Sequence, residues 1–278
     1  MKDDIVSQNL CYVLEELQAN IIDSVYDVLL LEHCQFPLAG IINLFMRVIF
    51  ESEGKQLESH IENFIKFLDR ILFQIIFTLA IIQDDYAGFL HGDMFVRNIL
   101  VSVEKSFKSN DYVAYHYKQK IFYLLANEDY AKINDFGMSI LIDELEPSTY
   151  RMYEYRNKFY HVNPFNHKTD IFNLLHDIYS GQNLGSTSII QWAIDKNIPY
   201  AKIEPLRKFL SKFIKVKTID EINSINYHLL SDTWHIDNIK ILEDSVSTPD
   251  QYLMGNHFKK FQKLPPKSKV VRHFNEPK

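Results

Sequence analysis

Apolar residues recur with a helical period in several parts of the chain. Leu10, Val13, Leu14 and Leu17 fall at i, i+3, i+4, i+7, which predicts an amphipathic helix within residues 1–20. Between Glu58 and Gln83, residues Ile61, Phe64, Ile65, Leu68, Ile71, Leu72, Ile75, Ile76 and Leu79 cover a wide face. A long, mostly buried helix is predicted there. Its most apolar part, Ile71–Ile82, is interrupted by Gln74 and is too short to span a bilayer. Asp170–Tyr179 repeats the period through Ile171, Leu174, Leu175 and Ile178. In Thr248-Pro249-Asp250-Gln251 an N-cap, a first-turn proline and a capping-box partner stand in sequence, so a helix is predicted to start there. From residue 180 to about residue 262 the chain reads as mostly helical.

Elsewhere the period shortens. Ile21–Val25 and Val28–Leu31 read as short strands, Phe89-Leu90 as an apolar step before a polar loop, and Ile99–Val103 as a strand. Residues 111–134 alternate and are rich in Tyr, Val, Ile and Phe, which predicts β-hairpins. Residues 104–130 are expected to project from the surface as a hairpin extension. The order is a helix and two strands, a long helix, a β-rich middle, then helices. This is α+β and not an alternating βα chain. Residues 263–278 carry Pro265-Pro266 and several Lys/Arg and are expected to form a solvated, flexible basic tail.

Composition narrows the classes. The 278 residues are 46% hydrophobic and 24% charged, the balance of a globular protein with a sizeable core. A net charge of -6 carries no general nucleic-acid footprint. Two cysteines, Cys11 and Cys34, do not make a disulfide framework, so a reducing, intracellular setting is expected. The N-terminus Met1-Lys2-Asp3-Asp4 lacks the apolar core of a secretory signal. Neither a nucleic-acid nor a membrane partner is expected.

The candidate chemistry lies in the polar loop and just after the β-rich middle. His91-Gly92-Asp93-Met94-Phe95-Val96-Arg97-Asn98 fits H-x-D-x-x-x-x-N, and Asp135-Phe136-Gly137 follows. Phosphoryl transfer needs an acceptor hydroxyl held in line and metal ions that neutralise phosphate charge. An Asp and an Asn on one loop can divide that work. Asp93 would orient the hydroxyl and take its proton, Asn98 would offer an uncharged oxygen to Mg²⁺, and Asp135 would add a carboxylate, the hard ligand that Mg²⁺ prefers. The bland alternative is a chance octapeptide, and the downstream D-F-G makes that coincidence much rarer.

At these residues the chain resembles the protein-kinase superfamily, and most closely the kinases of large DNA viruses. Those often have H-G-D in the catalytic loop and a long Tyr-rich insertion before D-F-G; here Tyr112–Ile133 looks like that insertion. The resemblance implies a kinase-like domain over residues 1–262: an N-lobe remnant at 1–31, a hinge at 32–38 and a mainly helical C-lobe at 39–262. Leu31-Glu32-His33-Cys34 resembles the hinge, where the backbone of Glu32 and Cys34 would bond an adenine edge. Asp170 in Lys168-Thr169-Asp170-Ile171 falls where the family has an Asp that braces the catalytic loop, although a plain N-terminal helix residue is also consistent with its position. His91, Phe136 and Gly137 would support the site. The implied cofactors are ATP and Mg²⁺, and the implied substrate is a protein hydroxyl, Ser/Thr by default.

Departures from the family pattern are plain. Gly40 is the first glycine and lies after the hinge, so no glycine-rich loop precedes it, and the only lysine before the hinge is Lys2. Glu15 or Glu16 would match the family's helix glutamate but has no lysine partner. The chain reads as nearly all C-lobe with a truncated N-lobe, and a separate chain or segment is an expected partner. Gly92 replaces the Arg that in many kinases receives an activation-loop phosphate. Phe95 stands where most Ser/Thr kinases have a phosphate-steadying lysine, and Arg97 can supply that charge in a rigid fork. No A-P-E motif occurs; Asn163-Pro164-Phe165 is the nearest segment. Two other readings stay open: a pseudokinase or regulatory binding module, and a small-molecule kinase of the aminoglycoside or choline kinase type. Host cytoplasm or virion is the expected location for a viral protein of this kind.

Overall fold

The computed structural model describes residues 36–103, 106–141, 152–155, 158–161, 167–180, 189, 199–215 and 245–276. The helix expected within residues 1–20, the two strands before residue 32 and the hinge residues Glu32 and Cys34 lie outside the described residues.

The architecture is α+β. Strand β1 (Phe36–Pro37) leads into helix α1 (Leu38–Glu51), followed by α2 (Gly54–Asp85) and β2 (Phe89–Leu90). A short 3-10 turn at Val96–Asn98 opens β3 (Ile99–Val103). The β-rich middle is β4 (Asp111–Tyr117), β5 (Lys120–Leu125) and β6 (Asp129–Ile133), then a 3-10 turn at Phe136–Met138 and β7 (Ile140–Leu141). A hairpin of β8 (Met152–Tyr155) and β9 (Lys158–His161) precedes α3 (Thr169–Ser180) and α4 (Tyr200–Leu210). Helix α5 (Pro249–Met254), a 3-10 turn at Lys259–Gln262 and β10 (Lys269–Phe274) complete the order.

The predicted long helix is present and extends beyond both predicted ends. Its centre is enclosed, with Leu68, Ile71, Leu72, Phe73, Ile76 and Leu79 fully buried. The 32-residue α2 carries charge along its first turns, and among the described residues no helix is long and apolar enough to cross a membrane. Helix α1 lies against it through Leu38, Ile42, Met46 and Ile49, spaced for one face, and Phe45 stacks on Phe64 at 4.7 Å.

Gln74, the polar interruption of the apolar run, is buried and acts as a surrogate strand. Its Nε2 donates to the Asp129 carbonyl at 2.8 Å and its Oε1 accepts from the Ala131 amide at 3.0 Å. One carboxamide thus pairs two backbone groups of β6. Arg70, one turn earlier, pairs with Asp129 at 2.8 Å. Strand β6 is held on its other side by β3, antiparallel, with Ile99 opposite Ile133 and Val103 opposite Asp129.

The hairpin β4–β5 forms as predicted, paired from Tyr112–Leu125 to Tyr117–Lys120. It is more than a surface extension. Its inner face joins the core, where Phe73 of α2 meets Tyr115 edge-on at 5.3 Å, Phe122 at 5.1 Å and Phe258 at 5.2 Å. Polar pairs tie its tip to α5, which carries the predicted capping box between Thr248 and Gln251. Tyr117 donates to Asp250 at 2.9 Å, and Lys120 reaches the carbonyls of Leu253, Met254 and Gly255, the orphan acceptors at the helix end.

The tail expected to be solvated and flexible is a correction. Residues 269–274 form β10, which adds to the free edge of β4 in parallel, giving the sheet order β10-β4-β5. A chain rich in Lys and Arg does this because β-branched Val270 and Val271 lie in the strand and an unpaired edge offers it backbone partners. Proline and charge counts alone do not register an open edge elsewhere in the fold.

Replacing Gln74 with Leu should lower unfolding stability by about 1–2 kcal/mol, because the part-buried Asp129 carbonyl and Ala131 amide of β6 lose their partners. Chemical denaturation measures this. Lys66→Ala, which removes an exposed helix pair with Glu62 at 2.7 Å, should leave the denaturation midpoint nearly unchanged.

Candidate active site

The loop between β2 and β3 is short of regular structure, so its backbone amides need side-chain acceptors. Helix α3 supplies them. Asp170, fully buried, accepts from the His91 amide at 2.8 Å through Oδ2 and from the Gly92 amide at 3.1 Å through Oδ1. Two turns further on, Asp177 is also buried and accepts from the Val96 amide at 2.9 Å. The spacing of seven places both carboxylates on one face of the helix, so a single rigid element holds the loop at both ends. Burial pushes the Asp170 carboxyl above its ordinary range, while the two amide bonds and His91 act against that shift.

His91 is buried and carries the hydrogen bonding into the loop's interior. Its Nδ1 accepts from the Asp93 amide at 3.3 Å and its Nε2 faces the Asn134 carbonyl at 3.0 Å. These partners put the ring proton on Nε2. Ser139 donates to the His91 carbonyl at 3.1 Å, tying in the chain after the Asp135 turn. Gly92 has φ 78°, in the left-handed region that a side chain disfavours, which gives a backbone reason for glycine at this position.

Asp93 and Asn98 face each other. The Asn98 Nδ2 donates to the Asp93 backbone carbonyl at 2.8 Å and to its Oδ2 at 2.7 Å. Both amide hydrogens are therefore committed, and Oδ1 is the Asn98 atom left to face a cation. The other Asp93 oxygen pairs with Arg97 at 2.6 Å. The Arg97 guanidinium lies over the Phe95 ring at 4.6 Å. With Arg97 partly exposed, this pair positions the charge more than it stabilises the fold.

The β3–β6 ladder brings in Asp135. Ile99 pairs with Ile133, and the ladder continues one step through the Asn134 amide, which donates to the Asn98 carbonyl at 2.9 Å. Asn98 and Asp135 thus leave the same end of one strand pair. Asp135 has φ 62° and ψ 69°, a left-handed conformation that Asp tolerates better than most residues, and it is exposed. Its Oδ1 accepts from the Gly137 amide at 3.4 Å. Phe136 lies 5.0 Å from the His91 ring and 6.4 Å from Phe89, half exposed.

Over 270 residues, 97% of its length, the chain is 46% identical to a protein of Acanthamoeba polyphaga mimivirus named "Putative serine/threonine-protein kinase R301". Over nearly its whole length the chain is thus similar to a protein named as a kinase. It spans 65% of the length of that relative. No protein-family model matches it, and no solved structure does.

The residues singled out in the sequence, His91, Asp93, Arg97, Asn98, Asp135, Phe136, Gly137 and Asp170, form one connected cluster. Glu32 and Cys34 lie outside the described residues. Sequence reasoning passed over Asp177, Ser139 and the backbone of Asn134. For Asp177 a signal was present: a second Asp seven residues after the first, in a helix whose other face is apolar. For Ser139 and Asn134 there was none, because their roles run through carbonyl and hydroxyl contacts that any nearby residue type could make.

Asp177→Ala should cost about 1–3 kcal/mol, since the Val96 amide is left buried without its acceptor. Hydrogen exchange should show the Val96 amide losing protection while α2 retains it. Equal loss along α2 would mean that Asp177 supports the whole fold and not this loop.

Proposed function

We propose that this chain is the phosphotransfer half of an ATP- and Mg²⁺-dependent protein kinase, Ser/Thr-directed. The carrying observation is that Asn98 spends both side-chain amide hydrogens on Asp93 while its backbone carbonyl takes the amide of Asn134, the residue before Asp135. A base, an uncharged oxygen ligand and a carboxylate ligand are thereby linked through one loop and one strand pair. The name of the mimivirus relative supports the same reading.

The donor set fits a hard divalent cation: the Asn98 Oδ1 and the exposed Asp135 carboxylate are oxygen ligands, with no sulfur or imidazole among them. Mg²⁺ bound there would neutralise the phosphate charge of ATP. Asp93 orients the acceptor hydroxyl and takes its proton; its carboxylate is aimed by the Arg97 and Asn98 contacts, so little reorganisation is needed. Arg97 is placed beside that carboxylate and would steady the transferred phosphoryl group, with Phe95 as the plane beneath it. Asp170 and Asp177 touch none of the reacting groups and act by holding the loop. The adenine contacts of Glu32 and Cys34, and a separate N-lobe contribution in cis or trans, complete the proposal.

Asp93→Asn should abolish phosphate transfer while leaving nucleotide binding within a few-fold, because an amide of the same shape cannot accept the hydroxyl proton. Asp135→Asn should weaken only the Mg²⁺-dependent part of nucleotide binding, because it removes a charged metal ligand. Titrations with and without Mg²⁺ separate the two. Phosphorylation that survives Asp93→Asn would overturn the mechanism. Mg²⁺-dependent ATP binding without any transfer, with an N-lobe supplied, would favour the pseudokinase alternative.

A further inference from the structure

The added strand β10 creates a cluster with no part in the site above. His116 on β4, His273 on β10 and Glu276 just beyond it bring one ligand atom each to within 4.8 Å of one another. The His116 Nε2 lies 2.9 Å from the His273 Nδ1, and that same Nδ1 lies 3.8 Å from the Glu276 Oε1. His116 and His273 are far apart in sequence, and only the strand addition unites them.

Register accounts for the meeting. Along β4 the odd positions Asp111, Val113, Tyr115 and Tyr117 are buried, and Tyr112 and His116 sit on the outer face. In β10 the pairing slips between Val270 and Arg272, so His273 falls opposite Ala114 and Phe274 opposite Tyr115. Without the slip His273 would fall opposite Tyr115, on the core side. With it, Phe274 packs on Tyr115 at 5.0 Å and His273 takes the outer face, diagonal to His116. Asn275 then turns the chain at φ 53° and donates its side-chain amide to the His116 carbonyl at 3.1 Å, which directs Glu276 back toward His273.

We propose that His116, His273 and Glu276 form a binding site for a zinc ion, which clips β10 to β4. The His273 Nδ1 has one lone pair or one proton and cannot bond both His116 and Glu276 in its ring plane. A cation between the three takes a lone pair from each. Two imidazole nitrogens and one carboxylate are a zinc donor set, and water supplies the fourth position on this exposed face. The set differs from the all-oxygen pair Asn98 and Asp135, so the two sites select different ions, and this proposal does not depend on the kinase reading.

The test is a zinc chloride titration of the metal-stripped full chain in excess Mg²⁺, followed with a competing chromophoric chelator. One zinc ion per chain is expected. His116→Ala and His273→Ala should each weaken binding by about tenfold or more, Glu276→Gln by less, and His60→Ala, a change outside the cluster, should leave it unchanged. Zinc should also slow proteolytic removal of the segment after Lys263 in the wild type and not in His273→Ala, a readout independent of how well each variant binds the chelator. Absence of zinc binding in the wild type, or equal binding in wild type and both histidine variants, would overturn the site. Zinc binding without protection of the C-terminal segment would overturn the clip.

Discussion

Two carboxylates buried in helix α3 carry a disproportionate share of the order in this protein. The loop from His91 to Asn98 has little regular structure, and its amides would otherwise be unpaired beneath the surface. Asp170 takes two of them and Asp177 a third. Placing a carboxylate at zero exposure is costly, and it is tolerated here because the backbone dipoles of the loop replace the lost water. The same bonds fix the direction of His91, which in turn fixes Asp93 through its amide and the Asp135 segment through the Asn134 carbonyl. Remove the two carboxylates and the loop loses the contacts that hold Asp93 opposite Asn98.

Around that centre, α2 connects everything else. Its wide apolar face meets α1 on one side and the β4–β5 hairpin on the other, with Phe73 in contact with Tyr115 and Phe122 of the hairpin and with Phe258 and Phe261 of one further segment. Gln74 adjoins Phe73 and holds β6, so the strand that leads into Asn134 is positioned by the same turn of helix that organises the aromatic core. Site geometry and core packing are therefore coupled: a shift of α2 moves β6, and β6 moves Asp135. The hairpin has its own anchor in α5, through Asp250 and the helix-end carbonyls, which keeps its inner face on Phe73.

Much of this was legible in the chain itself. Period alone located α2, α3 and the strand Ile99–Val103, because each buries one face and must repeat apolar residues to do so. The capping box at Thr248 was legible because its partners are three residues apart. The spacing of His91, Asp93 and Asn98, with Asp135 downstream, was legible because it is a pattern of residue types at fixed separations along the chain. The connections between these pieces were not legible. Gln74 read as an interruption of an apolar run, since a carboxamide's partners lie on a strand more than fifty residues away. The Lys-rich segment after residue 262 read as solvated tail, since nothing in its composition reveals that β4 has an open edge.

The sequence by itself located α2, α3, β3 and the β4–β5 hairpin and marked the side chains proposed for phosphoryl transfer, because periodicity and local spacing are properties of neighbouring residues; it did not reveal α1 or β10. Tertiary structure alone decided that Asp177 joins Asp170 beneath the loop, that β3 and β6 deliver Asn98 and Asp135 to the same end of a ladder, and that a one-residue slip in β10 turns His273 toward His116. Each of those depends on pairing between residues distant in the chain, and register is set by packing and backbone hydrogen bonds that no local pattern encodes.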